Sequence, residues 1–201
     1  MDELQRKCDE ADAESLAREG APQGQPEFER LARTIWRLRQ EDGCPWDKVQ
    51  THESISQNMI EEAYEALDAI LAGDAAHLRE ELGDVLMQVL LHAQIADDSG
   101  EFELADVCRE LNEKLVRRHP HVFGDITASD ADEALASWDE VKRQERGEGR
   151  EPGLLDSVPA SLPALMECQK ISKRAAKCGF EWEDVDALHP DVLQRSLFPG
   201  R

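Results

Sequence analysis

The sequence is short of positive charge, with 23 lysine and arginine residues against 44 aspartate and glutamate residues among 201. The formal net charge is −21, and a field of that sign repels phosphate groups and anionic lipid headgroups. The composition therefore argues against a general nucleic-acid-binding protein and against a protein bound to an anionic membrane. A phosphorylated ligand can still bind if metal ions supply the positive charge.

The chain also lacks any apolar run close to the ~18 residues that a membrane-spanning helix needs. Its first five residues show neither the basic nor the apolar region of a secretory signal, so we expect none. The five cysteines are widely spaced and form no C-x-x-C pair, which excludes a disulfide framework and a cysteine zinc site. We expect reduced thiols in a cytoplasmic protein.

Helical periodicity dominates the sequence, and no strand-like alternation persists. The prediction is an all-α fold, a helical bundle of about five core helices. Residues 1–26 are charged and are expected to form a mobile arm, 27–146 a single domain, and 147–201 a linker, a C-terminal helix and a tail. The predicted helices cover residues 27–38, 53–72, 75–98, 103–118, 130–146 and 163–177.

The second and third of these helices are separated by a very short connection. Gly73 is typical of a helix C-terminus and Asp74 of an N-cap, so the two helices should form an antiparallel hairpin. Residues 85–96 of the third helix are apolar on nearly all sides. We expect part of that helix to lie in a homodimer interface. The alternative is a central helix of a monomer.

Four carboxylates stand out in this hairpin. Glu62 and Glu65 are three residues apart, as are Glu81 and Asp84, so each pair projects from one helical face. Glu62 also occupies an otherwise apolar seam, which a merely solvated glutamate would avoid. When the two helices fold back on each other at the turn, the two pairs lie level to within one residue. One residue corresponds to about 1.5 Å of helix rise. All four carboxylates can therefore meet.

Carboxylates that meet in a partly buried place repel each other and are costly to desolvate. Divalent cations relieve that cost, and all-oxygen ligands suit Mg²⁺ or Mn²⁺. A di-iron bundle would require Glu-x-x-His pairs, and no histidine here follows a glutamate by three residues. The alternative is that the four residues belong to ordinary acidic helix surfaces of an acidic protein and bind no metal.

Several motifs carry a family resemblance over residues 29–146. They are LR at 38–39, CPWD at 44–47, QTH at 50–52, EEAYE at 61–65, EELGDVL at 80–86 and KLVRRHPHVF at 114–123. Together they resemble the MazG family of nucleoside triphosphate pyrophosphohydrolases, in the all-α NTP pyrophosphatase superfamily. Residues 154–156 and 169–180 look like the stretch that joins two MazG domains in longer relatives.

The resemblance implies that an NTP or dNTP is cleaved to a nucleoside monophosphate and pyrophosphate. It implies Mg²⁺, with Mn²⁺ as a substitute, held by Glu62, Glu65, Glu81 and Asp84, while Glu61 activates the attacking water. The implied substrate contacts are Lys114, Arg117, Arg118, Trp138, Lys142, Arg39 and Trp46.

Some of these roles have structural alternatives. Arg39 can instead pair with a surface acid, and Trp46 can instead fill the core beside Trp36. His92, on an apolar helix, is expected to be a core histidine. The basic face of the last helix is either solvated or packed against an acidic surface; it consists of Lys170, Lys173, Arg174 and Lys177.

Three functions remain open at this stage. The first is a broad house-cleaning NTP and dNTP pyrophosphohydrolase, acting as a homodimer or a higher homo-oligomer. The second is a narrower dUTP or dCTP pyrophosphatase. The third is a catalytically silent nucleotide-binding regulatory protein.

Overall fold

The computed structural model describes residues 3–22, 24, 26–145, 153, 155–156 and 158–180. The chain divides into two compact units, Met1–Arg143 and Gln144–Arg201. Within the described residues all regular structure is helical, which confirms the predicted all-α class. No helix in this part of the chain combines the length and the apolar character that crossing a bilayer requires.

The described residues form eight α-helices, with a short 3₁₀ helix at Asp47–Val49 between the second and the third. The helices are α1 Glu3–Leu16, α2 Pro26–Leu38, α3 Ser56–Ala72, α4 Ala75–Ser99, α5 Leu104–Arg118, α6 Pro120–Phe123, α7 Ala131–Glu145 and α8 Ala164–Lys177.

Helices α3 and α4 form the predicted antiparallel hairpin. Gly73 ends α3 with φ of +68°, a left-handed conformation that glycine adopts without strain. Asp74 caps α4, because its side chain accepts hydrogen bonds from the backbone N–H groups of Ala76 and His77 at 3.0 and 3.1 Å. Local sequence signals therefore set the geometry on which the carboxylates are arranged.

Helix α4 is the centre of the first unit and contacts α2, α3 and α5. The main core consists of Ile35 from α2, Ile55 before α3, and Leu90, Leu91 and Ile95 from α4. Most of the apolar segment 85–96 is thus covered within one chain. Its association with a second copy stays a prediction.

The N-terminal segment that we expected to be a mobile arm contains helix α1, which contacts α5. Cys8 and Ala11 are buried against Val116, with Leu4 packed on the edge of this small cluster. These few apolar residues recur at helical spacing, and the sequence interpretation gave them too little weight against the surrounding charge.

In the second unit, the described part of the C-terminal segment contains helix α8. The predicted linker at 147–153 lies outside the described residues except for Gly153, and so does the tail from 181 onward. The predicted domain boundaries stay predictions.

Candidate metal and nucleotide site

Helix α3 buries one stripe of side chains along the hairpin seam. Ala66 and Ala69 are buried on this stripe, and Met59 and Glu62 are partly buried. Glu62 therefore occupies the seam position that its sequence pattern predicted.

Three of the four predicted ligands meet in this seam. Oxygen atoms of Glu62, Glu81 and Asp84 all lie within 4.8 Å of one another, a spacing that one divalent cation can bridge. We call these three residues the carboxylate cluster. Glu65 is exposed and stands outside the cluster, although it is close enough to act on Glu62 electrostatically. Glu61 is exposed on α3 beside Glu62.

The cluster is electrostatically costly without a cation. Burial of the Glu62 carboxyl raises its pKa above the ordinary value, and the negative charges of Asp84, Glu65 and Glu81 raise it further. A hydrogen bond from Gln88 acts in the opposite direction. The folded chain thus holds Glu62 where its ionised form is disfavoured.

Glu81 is the most deeply placed of the three, with 5% of its surface exposed. Its Oε1 atom lies 2.9 Å from Nε2 of His77, one helical turn earlier on α4. Its Oε2 atom is buried and has no hydrogen-bond partner. A buried carboxylate oxygen without a partner is costly, and coordination of a cation would satisfy it. The oxygen-only donor set suits Mg²⁺ or Mn²⁺.

The predicted phosphate-binding cations lie on α5 and α7. Lys114 and Arg117 line a groove on α5 together with the apolar residues Phe102, Val107 and Leu111 and the carboxylates Asp106, Glu110 and Glu113. The Arg118 guanidinium lies 5.4 Å from the ring centroid of Trp138, at cation–π distance.

His119 also meets Trp138 edge-on, with the ring centroids 4.7 Å apart. Lys142 is half-buried on α7. The structure therefore joins Trp138 to the end of α5, a contact that sequence spacing did not predict.

Arg39 holds the loop between α2 and α3. Its side chain is 7% exposed, and its Nε donates to Asp98 of α4 at 2.6 Å. Its Nη1 donates to the backbone carbonyls of Asp47 and Gln50 at 2.6 and 3.3 Å. These contacts correspond to the alternative of pairing with an acid, and a role for Arg39 at phosphate stays a prediction.

Trp46 lies on the same loop with 56% of its surface exposed, and Trp36 is similarly exposed. The alternative that Trp46 fills the core beside Trp36 is therefore wrong. Its predicted contact with a nucleobase stays a prediction.

A histidine pair fixes the loop to α4. The Nδ1 atoms of His52 and His92 are 2.8 Å apart, and the two rings are parallel with centroids 5.1 Å apart. Burial lowers the pKa of His92, and the neighbouring His52 lowers it further. His92 was predicted to be a core histidine, but its pairing with His52 was not predicted. The signal for that pairing was the QTH motif at 50–52, which contains His52.

The contribution of His92 to the stability of the fold should therefore become less favourable as the pH falls through the range of histidine titration. The unfolded chain binds a proton at His92 near pH 6.5, whereas the folded chain resists it, so the stability present above that pH is lost below it. We expect the melting temperature of the wild type to fall more between pH 7.5 and 5.5 than that of His92→Leu. Thermal melts in matched buffers measure this, and parallel curves would contradict it.

Comparisons with known proteins identify the family to which the chain is similar. Residues 50–123 match the family model described as the MazG nucleotide pyrophosphohydrolase domain. The chain is 48% identical over 169 residues to the nucleoside triphosphate pyrophosphohydrolase of Escherichia coli K12, covering 84% of this chain and 64% of that protein. It is 41% identical over 165 residues to the nucleoside triphosphate pyrophosphohydrolase/pyrophosphatase MazG of Thermotoga maritima, covering 82% of this chain and 63% of that protein.

The chain thus spans just under two thirds of the length of these relatives. Among solved structures, a crystal structure of a mazG-related protein from Thermotoga maritima superposes with a TM-score of 0.50 at 32% identity. The match covers 58% of this chain and 99% of that one. Because this chain is 32% identical to that mazG-related protein and covers 99% of it, and because residues 50–123 match the family model, the chain belongs to the MazG family.

Proposed function

We propose that this chain hydrolyses nucleoside triphosphates to a nucleoside monophosphate and pyrophosphate, with residues 27–146 as its catalytic domain. The observation that supports it most strongly is the carboxylate cluster with the buried, unpartnered Oε2 of Glu81. A seam of this kind is unfavourable as a metal-free structural element and favourable as a binding site for Mg²⁺ or Mn²⁺. The two relatives described above are named as enzymes of this class.

Each group of residues has a distinct part in the proposed reaction. Glu62, Glu81 and Asp84 would hold the cation, and Glu65, whose charge acts on Glu62, is a further candidate ligand. A cation held there would supply the positive charge that a triphosphate and a pyrophosphate leaving group need at an acidic protein. Glu61, exposed beside the cluster, accepts the proton of the water that attacks the α-phosphorus.

The cations of α5 and α7 bind the phosphate oxygens in this proposal. Arg118 is oriented by its stacking on Trp138, which limits the side-chain entropy lost on binding. Lys114 and Arg117 line one groove, whose lining also includes the carboxylates Asp106, Glu110 and Glu113. Lys142 adds a further positive charge on α7.

The test is release of pyrophosphate from a panel of NTPs and dNTPs, with Mg²⁺ and with a chelator. Metal-dependent pyrophosphate and monophosphate across purines and pyrimidines would support the broad enzyme. Strong rejection of purines in kcat/KM would favour the dUTP or dCTP enzyme instead. Nucleotide binding without turnover would favour the regulatory protein, and orthophosphate as the first product would contradict the proposed chemistry.

We further propose that the enzyme is a homodimer, on the basis of a second apolar stripe on α3. Ile60, Tyr64, Leu67 and Leu71 recur at helical spacing on the face opposite the seam, and each is 43–76% exposed. On α4, Leu82 and Val89 are also exposed. An apolar surface of this extent marks an interaction site, and a second copy of the chain would cover it symmetrically.

A charged residue introduced into this apolar stripe is expected to dissociate the dimer. Leu71→Glu places a carboxylate at the most exposed position of the stripe, where the monomer fold tolerates it but a buried interface does not. Sedimentation equilibrium should show a dimer for the wild type and a monomer for the variant. Leu135→Glu, at an exposed leucine of α7, is the matched control and should stay dimeric. A monomeric wild type would contradict the proposal.

A further inference from the structure

The loop between α2 and α3 is tied to α4 by one guanidinium group. The Arg39 side chain is 7% exposed, and its Nε donates to Oδ2 of Asp98 on α4 at 2.6 Å. Its Nη1 donates to the backbone carbonyls of Asp47 and Gln50, so three of its five N–H groups are in use. Oδ1 of Asp98 accepts from Nε2 of Gln94 at 2.9 Å, which fixes the anchor itself.

The backbone of this loop is fixed at further points. At Gly43 the chain passes so close to the carbonyl group of Leu38 that a Cβ atom would overlap it, which restricts the position to glycine. Nε2 of Gln50 donates to the backbone carbonyl of Trp46 at 2.8 Å. The segment from Gly43 to Gln50 is therefore held in one conformation by its own contacts and by Arg39.

This fixed backbone leaves two large apolar side chains in the open. Trp46 is 56% exposed and Val49 is 66% exposed. Loops that a rigid scaffold holds in place commonly carry binding groups. An indole ring offers a flat face on which any nucleobase can stack. The loop is thus suited to hold a base.

The loop also ends over the same stripe of α4 that carries the carboxylate cluster. His92 is eight residues beyond Asp84, which places it on the same helical face about 12 Å further along the axis. His52, two residues after Gln50, is in contact with His92. A nucleotide bound at the cluster by its phosphates extends over a similar distance towards its base.

Resting on the proposed function, we infer that Arg39 is a positioning residue that holds Trp46 where the indole stacks on the base of a bound nucleotide. The guanidinium does not touch the nucleotide, because its charge is paired with Asp98 and its Nη1 is occupied by loop carbonyls. Anchoring strengthens binding because the loop does not have to be ordered when the nucleotide arrives.

The decisive experiment measures binding of α,β-methylene-ATP, which cannot be cleaved between the α- and β-phosphorus, to the full chain with Mg²⁺ by calorimetry. Arg39→Met keeps an unbranched apolar stem but donates no hydrogen bond. We expect its Kd to rise about tenfold, within the range that one stacked base contributes, and Trp46→Leu to lose at least as much. Arg37→Met is the matched control, since Arg37 pairs with Asp42 on an exposed surface, and it should bind as the wild type does.

Two further comparisons separate positioning of Trp46 from a direct phosphate contact. Inorganic tripolyphosphate has no base, so Arg39→Met should bind it with the wild-type Kd in Mg²⁺. In the double variant, the Kd for α,β-methylene-ATP should equal that of Trp46→Leu alone, because both changes remove the same contact. Weaker binding of tripolyphosphate, losses that multiply in the double variant, or an unchanged Kd in either single variant would overturn the inference.

Hydrogen exchange in the nucleotide-free protein gives a readout that needs no ligand. Amides of residues 44–52 should exchange faster in Arg39→Met while those of α3 keep their wild-type rates, and unchanged exchange in the loop would overturn the inference. If Arg39→Met does not fold, Asp98→Ala decides by the same measurements, because it releases the same guanidinium from α4. A raised Kd for the nucleotide analogue with unchanged binding of tripolyphosphate supports the positioning role, and wild-type binding overturns it.

Failure of the proposed function gives a different result. Wild-type protein that binds α,β-methylene-ATP but releases no pyrophosphate from ATP would contradict the proposed hydrolysis and leave the role of Arg39 standing. Wild-type protein that binds neither the analogue nor tripolyphosphate would contradict both.

Discussion

Glu62→Gln is expected to abolish pyrophosphate release while raising the thermal stability of the metal-free protein. Glutamine has the same shape but carries no negative charge, so it is a poor ligand for Mg²⁺. We expect kcat/KM to fall by more than ~10²-fold, beyond what loss of an outer partner costs.

The gain in stability follows from the raised pKa of Glu62. A carboxyl whose pKa is higher in the folded than in the unfolded state destabilises the fold at neutral pH. This destabilisation is lost as the pH falls, and it is absent below the pKa of the carboxyl in the unfolded state. Glutamine removes the destabilisation at all pH values. Each kcal/mol relieved raises the melting temperature by about 2–4 °C in a chain of this size.

The control for this prediction is Glu80→Gln, at an exposed glutamate of α4 next to the cluster. It should change neither activity nor melting temperature. Scanning calorimetry in the presence of a chelator and a pyrophosphate assay with Mg²⁺ provide the two readouts. A Glu62→Gln protein that is less stable than the wild type, or that retains activity, would contradict the role assigned to the cluster.

Glu61→Gln is expected to separate catalysis from metal binding. Glu61 is exposed and stands beside the cluster without belonging to it, so its loss should leave the affinity for Mn²⁺ unchanged. If it accepts the proton of the attacking water, kcat should fall by ~10²–10⁴-fold. Calorimetric titration with Mn²⁺ and steady-state kinetics measure the two quantities.

Asp68→Asn tests whether any exposed carboxylate of α3 would give the same result. Asp68 lies on the same helix and is also exposed, and its amide variant should keep wild-type kcat. Equal losses in kcat and in Mn²⁺ affinity for Glu61→Gln would instead make Glu61 a ligand. Full activity of Glu61→Gln would contradict the proposal that Glu61 is the base that accepts the proton of the attacking water.

The parts of the fold that depend on local signals could be predicted from the sequence. Gly73 and Asp74 set the hairpin because a left-handed C-terminus and an N-cap are properties of one or two residues. Helical rise along two antiparallel helices then brought Glu62 to the height of Glu81 and Asp84, and the structure places their oxygens together.

Features that depend on side-chain direction or on distant contacts were predicted less well. Glu65 is at the right height, but its side chain does not join the cluster. The His52–His92 pair joins residues 40 positions apart, and its register is set by the packing of a loop.

The central claim, that water attacks the α-phosphorus, is tested most directly by hydrolysis of a nucleoside triphosphate in ¹⁸O-labelled water with Mg²⁺. Attack at that atom predicts a single ¹⁸O in the nucleoside monophosphate and unlabelled pyrophosphate, both visible by ³¹P NMR. Label in the pyrophosphate would show attack at the β-phosphorus, and labelled orthophosphate would show attack at the γ-phosphorus. Either result would contradict the account of this site.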